Sequence, residues 1–274
     1  MDITFLETDG GKLAVEVEGA GPLVICSPGL GDTRDAFGPL AAHLVAGGYR
    51  VARVDLRGHG DSSARFASYG DEATAADFLT VAEAFSEGPV ILAGASLSAG
   101  AAVIAAGRRP ERVAGLILLG PFVRNGIGQA MRWLLYAALA RPWGPTIWRS
   151  QAAKLWPGLG DQAAGRAAST TALLTRPNRW AAFHATSITD HSVVAPWIGR
   201  VQAPVLVVMG EADPDWKDPL AEARWVASNF AGAEVLMVSG AGHAPMLECP
   251  NEVNPAVSRF LSLIGVAGAR KADA

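Results

Sequence analysis

The chain has 274 residues, half of them hydrophobic, a formal net charge of −3 and two cysteines. That is enough apolar length for one self-sufficient domain of about 200 to 250 residues carrying an insertion, and without a block of Lys or Arg it offers no electrostatic footprint for nucleic acid or an anionic membrane. Cys26 and Cys249 belong to no CxxC pair, so neither a metal nor a disulfide framework is expected. The opening Met-Asp-Ile-Thr-Phe-Leu-Glu lacks the basic start and apolar core of a secretory leader. Together these features predict a cytoplasmic protein, monomer or homodimer, whose partner is a small-molecule substrate, with no nucleic acid and no membrane involved.

Residues 3–8 and 12–18 alternate apolar and polar around Asp9-Gly10-Gly11, the pattern of a half-exposed hairpin. Leu23-Val24-Ile25-Cys26 is continuously apolar, as a strand covered on both faces must be, and it ends in Ser27-Pro28-Gly29-Leu30-Gly31-Asp32 before a helix over 35–47. A strand at 50–56 then runs into the turn Arg57-Gly58-His59-Gly60-Asp61-Ser62, and a helical pattern covers 72–86. Strands at 89–95 and 113–119 flank a helix at 97–108. After the insertion, strands at 204–209 and 234–238 alternate with helices at 218–230 and 252–264, ahead of a polar tail at 269–274. This alternation implies right-handed crossovers and a mainly parallel sheet of eight strands with helices on both faces.

Residues 88–107 carry no charge over a length near that of a bilayer span. Four glycines and a proline interrupt the run, and β-branched residues precede the alanines, so it reads as strand, sharp turn and helix.

From 122 to 200 the alternation gives way to helical periodicity, many alanines and six of the eight tryptophans: Trp133, Trp143, Trp148, Trp156, Trp180 and Trp197. The expected organisation is therefore a core of 1–121 and 201–274 interrupted by a helical cap at 122–200. Each tryptophan taken alone reads as packing within the insertion. As a group they suggest an apolar, aromatic-lined cleft, with Trp143 and Trp148 as the candidate pocket residues.

Within Ile91-Leu92-Ala93-Gly94-Ala95-Ser96-Leu97-Ser98-Ala99-Gly100 an apolar strand stops at a hydroxyl flanked by very small residues. A serine nucleophile needs a base, a group that orients the base, and donors for the oxyanion it generates. Asp213 and His243 stand just past the ends of the two strands that follow the insertion, at the edge of the sheet where ligands bind in open parallel sheets.

The chain order Ser, Asp, His, with a strand-to-helix elbow and a glycine-containing loop after an earlier strand, resembles the α/β-hydrolase fold family over roughly 12–121 and 200–265. The resemblance implies that Gly94-Ala95-Ser96-Leu97-Ser98 is the nucleophile elbow. It makes Gly210-Glu211-Ala212-Asp213 the loop bearing the acid, and Gly242-His243, with Glu248 and Pro250 following, the histidine loop. Pro28-Gly29-Leu30-Gly31-Asp32 would be the oxyanion loop, with the backbone N–H groups of Leu30 and Leu97 as donors. His59 is implied to be structural, part of a turn that marks the fold. Asp215 and Asp190 are rivals to Asp213 as the acid, and His43, His184 and His191 have no evident partner in the sequence.

Two positions leave the family pattern. The glycine usual two residues after the nucleophile is Ser98, which opens a second register with Ser98 as nucleophile; that register would push the tight turn into the strand. The oxyanion loop has Pro28 where the family often has histidine; the backbone donors survive, and what the departure affects is the local hydrogen bonding that a histidine side chain would contribute to holding the loop. The implied activity is a carboxylic-ester hydrolase with a Ser96-His243-Asp213 triad. Hydrolysis of a C–C bond in a diketone-type substrate, and a non-catalytic small-molecule binding protein, are the alternatives. No metal, nucleotide or flavin cofactor is implied, since Gly29-Leu30-Gly31 and Gly58-His59-Gly60 lack the context of a phosphate loop.

Overall fold

The computed structural model describes residues 3–266; the polar tail at 269–274 lies outside them. Eight strands form one sheet: β1 (Ile3–Thr8), β2 (Gly11–Gly19), β3 (Leu23–Ser27), β4 (Arg50–Val54), β5 (Val90–Ala95), β6 (Val113–Leu119), β7 (Val205–Gly210) and β8 (Glu234–Val238). Their spatial order is β1-β2-β4-β3-β5-β6-β7-β8, antiparallel at β1–β2 and β2–β4 and parallel elsewhere. The mainly parallel eight-stranded sheet expected from the alternating elements, and the α/β-hydrolase fold that the resemblance implies, are what is observed.

Strand burial explains the strand sequences. Every residue of β3, β5 and β7 is buried, whereas β1 at the edge alternates between half-buried and exposed. Alternate residues feed two separate cores, as a period of two requires. Leu23, Ile25, Leu92, Leu116, Leu118 and Val207 face one side, and Val24, Cys26, Ile91, Ala93, Ile117 and Val208 the other. The first side is covered by α2 (Asp71–Phe85), α3 (Leu97–Arg108) and a helix at Pro219–Ser228. The second is covered by α1 (Gly38–Ala46) and the C-terminal helix at Pro250–Leu263. Helix α3 is buried from Leu97 to Gly107, and its run of Ala and Gly lets it lie close on the sheet.

Between β6 and β7 come five helices: α4 (Gln129–Ala138), α5 (Gly144–Leu155), α6 (Gln162–Leu174), α7 (Arg179–Thr186) and the short α8 (Ala195–Ile198). Ala152, Trp156, Ala163 and Ala167 of this stretch join one sheet-face core and Val194 joins the other. Leu174, Trp180 and Phe183 make a smaller cluster of their own against Leu30, Leu139 and Trp148. Helix α4 lies outermost, with Trp133 56% and Leu134 61% exposed.

Two element expectations change. The helix expected over 35–47 is a 3₁₀ turn, Arg34–Phe37, followed by α1. The last helix begins at Pro250, where a proline fits because the first helical N–H has no partner anyway, and a four-residue helix, Pro245–Glu248, precedes it. The uncharged stretch 88–107 is β5, the turn and most of α3, and among the described residues no helix is long and apolar enough to cross a membrane.

Candidate active site

Strand order reverses around β3. The chain leaves β3 for β4 on one side, then returns past it to β5 on the other. The connections diverge there, leaving a crevice beyond the carboxyl ends of β3 and β5. The loop after β3 and the turn after β5 meet in that crevice.

Ser96 sits in the turn with φ 56 and ψ −124, a positive φ that a non-glycine residue adopts only under constraint. The constraint is visible. Its N–H donates to Leu119 O at 2.9 Å, and its carbonyl accepts from Ala99 N at 3.0 Å and Phe122 N at 3.2 Å. The turn is so tight that a Cβ on Gly94 would come within 2.2 Å of Ser98 O. The hydroxyl is thereby presented at the N-terminal, electropositive end of α3.

The loop after β3 lies directly over this turn. A Cβ on Gly29 would stand 2.6 Å from Ser96 Cβ, so only glycine permits the approach. Among the described residues, the N–H groups of Leu30 and Leu97 donate to no protein acceptor, which leaves two backbone donors beside the Ser96 hydroxyl. Among the contacts that hold the loop, two flank Leu30. Gly31 N donates to His59 Nε2 at 3.1 Å, and Ser98 Oγ donates to Pro28 O at 2.6 Å. Because Nε2 accepts, the His59 proton is on Nδ1, which donates to Arg57 O at 2.9 Å. Burial lowers this imidazole to about 4, so it stays neutral and structural. Ser96 occupies the strained turn, and Ser98 is fully buried with its hydroxyl donating to Pro28 O.

His243 and Asp213 approach from the ends of β8 and β7. His243 Nδ1 is 2.8 Å from Asp213 Oδ2, and Asp213 Oδ1 accepts from Asp215 N at 3.0 Å. Asp215 Oδ2 is 3.4 Å from the same Nδ1, while Asp190 instead pairs with Arg132 and Asn125 in the inserted segment. Burial alone would lower His243. The carboxylates of Asp213 and Asp215 outweigh it and push the imidazole up to about 9. Glu248 shapes the loop around His243 by accepting from Gly242 N at 2.8 Å, Ala244 N at 2.9 Å and Gly158 N at 2.8 Å. No hydrogen bond joins Ser96 Oγ to the imidazole, whose Nδ1 is engaged by Asp213.

Among the described residues, Asp213, Asp215 and His243 have ligand atoms within 4.8 Å of one another, close enough to share a cation. Cys26 is a buried thiol raised to about 12, and both cysteines are free.

Of the two pocket tryptophans, Trp148 is brought to the site: its indole packs against Gly31 and tilts on Phe183 at 4.8 Å. Trp143 is not. It precedes α5 and is 55% exposed, because the face of α5 that packs inward carries Trp148 and Ala152. Trp156 and Trp180 are buried packing residues. The site has a further wall that the sequence does not advertise: Phe122 lies edge-on to His243 at 5.8 Å and contacts Trp216 at 4.9 Å and His191 at 5.2 Å. His191 is paired after all, its Nδ1 2.8 Å from the buried Asp71 of α2. His43 meets Ser258 at 2.8 Å and His184 meets Tyr136 O at 2.7 Å. All three partners lie far away along the chain, which is why inspection of the neighbouring sequence misses them.

Comparison with known proteins agrees with this fold. The model of the alpha/beta hydrolase family matches residues 23–256. A solved esterase, RhEst1 from Rhodococcus sp. ECU1013, is 26% identical, with a TM-score of 0.78 over 97% of this chain and 100% of its own. A hydrolase from Pseudomonas aeruginosa PA01 is 25% identical, with a TM-score of 0.81 over 95% of this chain and 98% of its own. A protein named epoxide hydrolase from Caballeronia sordidicola is 32% identical over 124 residues; that match spans 44% of this chain and 38% of the relative's length.

Proposed function

The chain belongs to the alpha/beta hydrolase family, and from that premise we propose that it is a serine hydrolase cleaving a carboxylic ester of a small to medium, largely apolar substrate through an acyl-enzyme on Ser96. The observation that carries the reading is the convergence of three features: a strained serine turn, two unpaired backbone N–H groups beside it, and a histidine whose Nδ1 is held by a buried carboxylate.

In this mechanism the Asp213 contact keeps the His243 proton on Nδ1, so Nε2 is the face that accepts the Ser96 proton. Ser96 Oγ then bonds to the ester carbon, and the carbonyl oxygen takes the negative charge between the N–H groups of Leu30 and Leu97. Collapse breaks the carbon–alkoxy bond, and His243 returns its proton to the departing alcohol. Water, deprotonated by His243, attacks the acyl carbon and restores Ser96 as the acid leaves. Dehalogenase or epoxide-hydrolase chemistry in this fold needs a carboxylate at the elbow, and position 96 is serine. The helices between β6 and β7 act as the cap, with Trp148, Phe122 and Trp216 giving the cleft its apolar walls.

The test is turnover of short-chain aryl esters by the native chain and by Ser96→Ala. Activity in the native chain and its loss in a folded variant are expected. Full activity in Ser96→Ala would overturn the mechanism.

A further inference from the structure

Pro28 and Ser98, the two residues at which the sequence departs from the family pattern, are the two ends of one buried hydrogen bond. Ser98 Oγ donates to Pro28 O at 2.6 Å, and 3.0 Å away stands Ser27 Oγ. Ser98 has a single hydroxyl proton and gives it to Pro28, so Ser27 must be the donor in the second contact. The result is a directional chain, Ser27 to Ser98 to the Pro28 carbonyl, in which each bond polarises the next. Ser98 is wholly buried and Ser27 is 4% exposed, so water does not compete for either bond.

We propose that Ser98 is a positioning residue for the oxyanion loop. This rests on the serine-hydrolase reading above and deepens it. The two oxyanion donors come from separate elements: the Leu97 N–H from the first turn of α3, and the Leu30 N–H from the loop after β3. Ser98 stands in that same first turn, next to Leu97, and grips the loop two residues before Leu30. Gly29, between the gripped carbonyl and the donor, has no side chain to restrict its own torsions. With the Pro28 carbonyl fixed on one side and Gly31 N fixed on His59 on the other, the intervening Leu30 N–H is held in one direction relative to the Leu97 N–H. A glycine at 98 would close the same elbow but leave the Pro28 carbonyl ungripped. The hydroxyl at 98 thus supplies the loop anchorage for which position 28, a proline, has no side-chain hydrogen bond to offer.

An oxyanion donor contributes only when it points at the oxygen of the tetrahedral intermediate, so a loosened loop costs rate rather than substrate binding. In Ser98→Ala, kcat on a short-chain aryl ester is expected to fall about 10- to 100-fold, short of the ~10²- to 10³-fold of losing a donor outright. KM should stay within about twofold, because ground-state contacts are untouched. Affinity for a trifluoromethyl ketone, whose adduct mimics the oxyanion, should weaken by the same factor as kcat. Ser27→Ala, which removes only the outer link, should show the same split at smaller size. A Ser98→Ala enzyme that melts as a folded protein with unchanged kcat and inhibitor affinity would overturn the proposal, as would a loss carried by KM. Should Ser98→Ala fail to fold, an unchanged kcat in Ser27→Ala overturns it. Ser96→Ala run beside them separates the two readings: if it loses activity while the other variants keep theirs, only the role of Ser98 falls.

Discussion

The carboxyl edge of the sheet and the helices between β6 and β7 are built on opposite terms. At the sheet edge the polar groups are buried and cross-braced. His59 holds Gly31, Ser98 holds Pro28, Glu248 takes three backbone N–H groups, and Asp213 holds both His243 and the Asp215 amide. In the inserted helices, large apolar side chains such as Trp133, Leu134 and Trp143 stand in solvent, and α4 is attached to the rest through a few contacts, among them Arg132 with Asp190 and His184 with Tyr136 O. The edge needs sub-ångström placement, which multiple buried hydrogen bonds provide. In the proposed function the insertion has only to cover a cleft, which does not demand such placement of its outer face. On the proposed reading chemistry and substrate choice are separated in space, and substitutions in the two regions should fail in different ways.

The largest expected effect is at the sheet edge. Asp213→Asn leaves the shape of the His243 contact but removes the charge that fixes the tautomer, and kcat should drop by roughly 10⁴-fold, measured on any ester the native enzyme turns over. A smaller effect is expected at Trp148, which stands between the regions. Trp148→Ala removes the wall against Gly31 and should shift the preference toward longer acyl chains by about tenfold in relative kcat/KM, read from a series of esters of increasing acyl length. An unchanged profile would move the acyl pocket elsewhere.

Next is a pH effect. His243 must be neutral to take the Ser96 proton, and its flanking carboxylates raise it to about 9, so kcat/KM should climb as pH rises toward that value. Asp215→Asn deletes one of those anions and should move the rising limb to lower pH while leaving the plateau in place. A limb that does not move would show that Asp213 alone sets the imidazole. The smallest effect belongs to the outer face of the insertion: Trp133→Ser should change unfolding free energy by no more than about 0.5 kcal/mol and leave ester turnover unchanged.

What the sequence makes legible follows the same division. The apolar runs of β3, β5, β6 and β7 are readable because strands buried on both faces tolerate nothing else, and their spacing by helical segments implies the parallel sheet. Ser96 stands out in the sequence because its strand stops at small residues, and Asp213 and His243 because each lies a few residues past the end of a strand. The braces are not readable. Ser98 and Pro28 lie 70 residues apart, and His191 and Asp71 lie 120 apart; no local pattern announces either pair. Trp143 and Trp148 are five residues apart and alike in composition, yet one faces solvent and the other packs on Gly31, since the way a helix of the insertion turns its faces depends on packing against distant elements.

The most direct test of the account is stoichiometric labelling with a fluorophosphonate, followed by peptide mass analysis and ester assay. One adduct on Ser96, with turnover lost in proportion to labelling and no adduct in Ser96→Ala, is the predicted result. An adduct on Ser98, or full turnover by a chain labelled on Ser96, would contradict it.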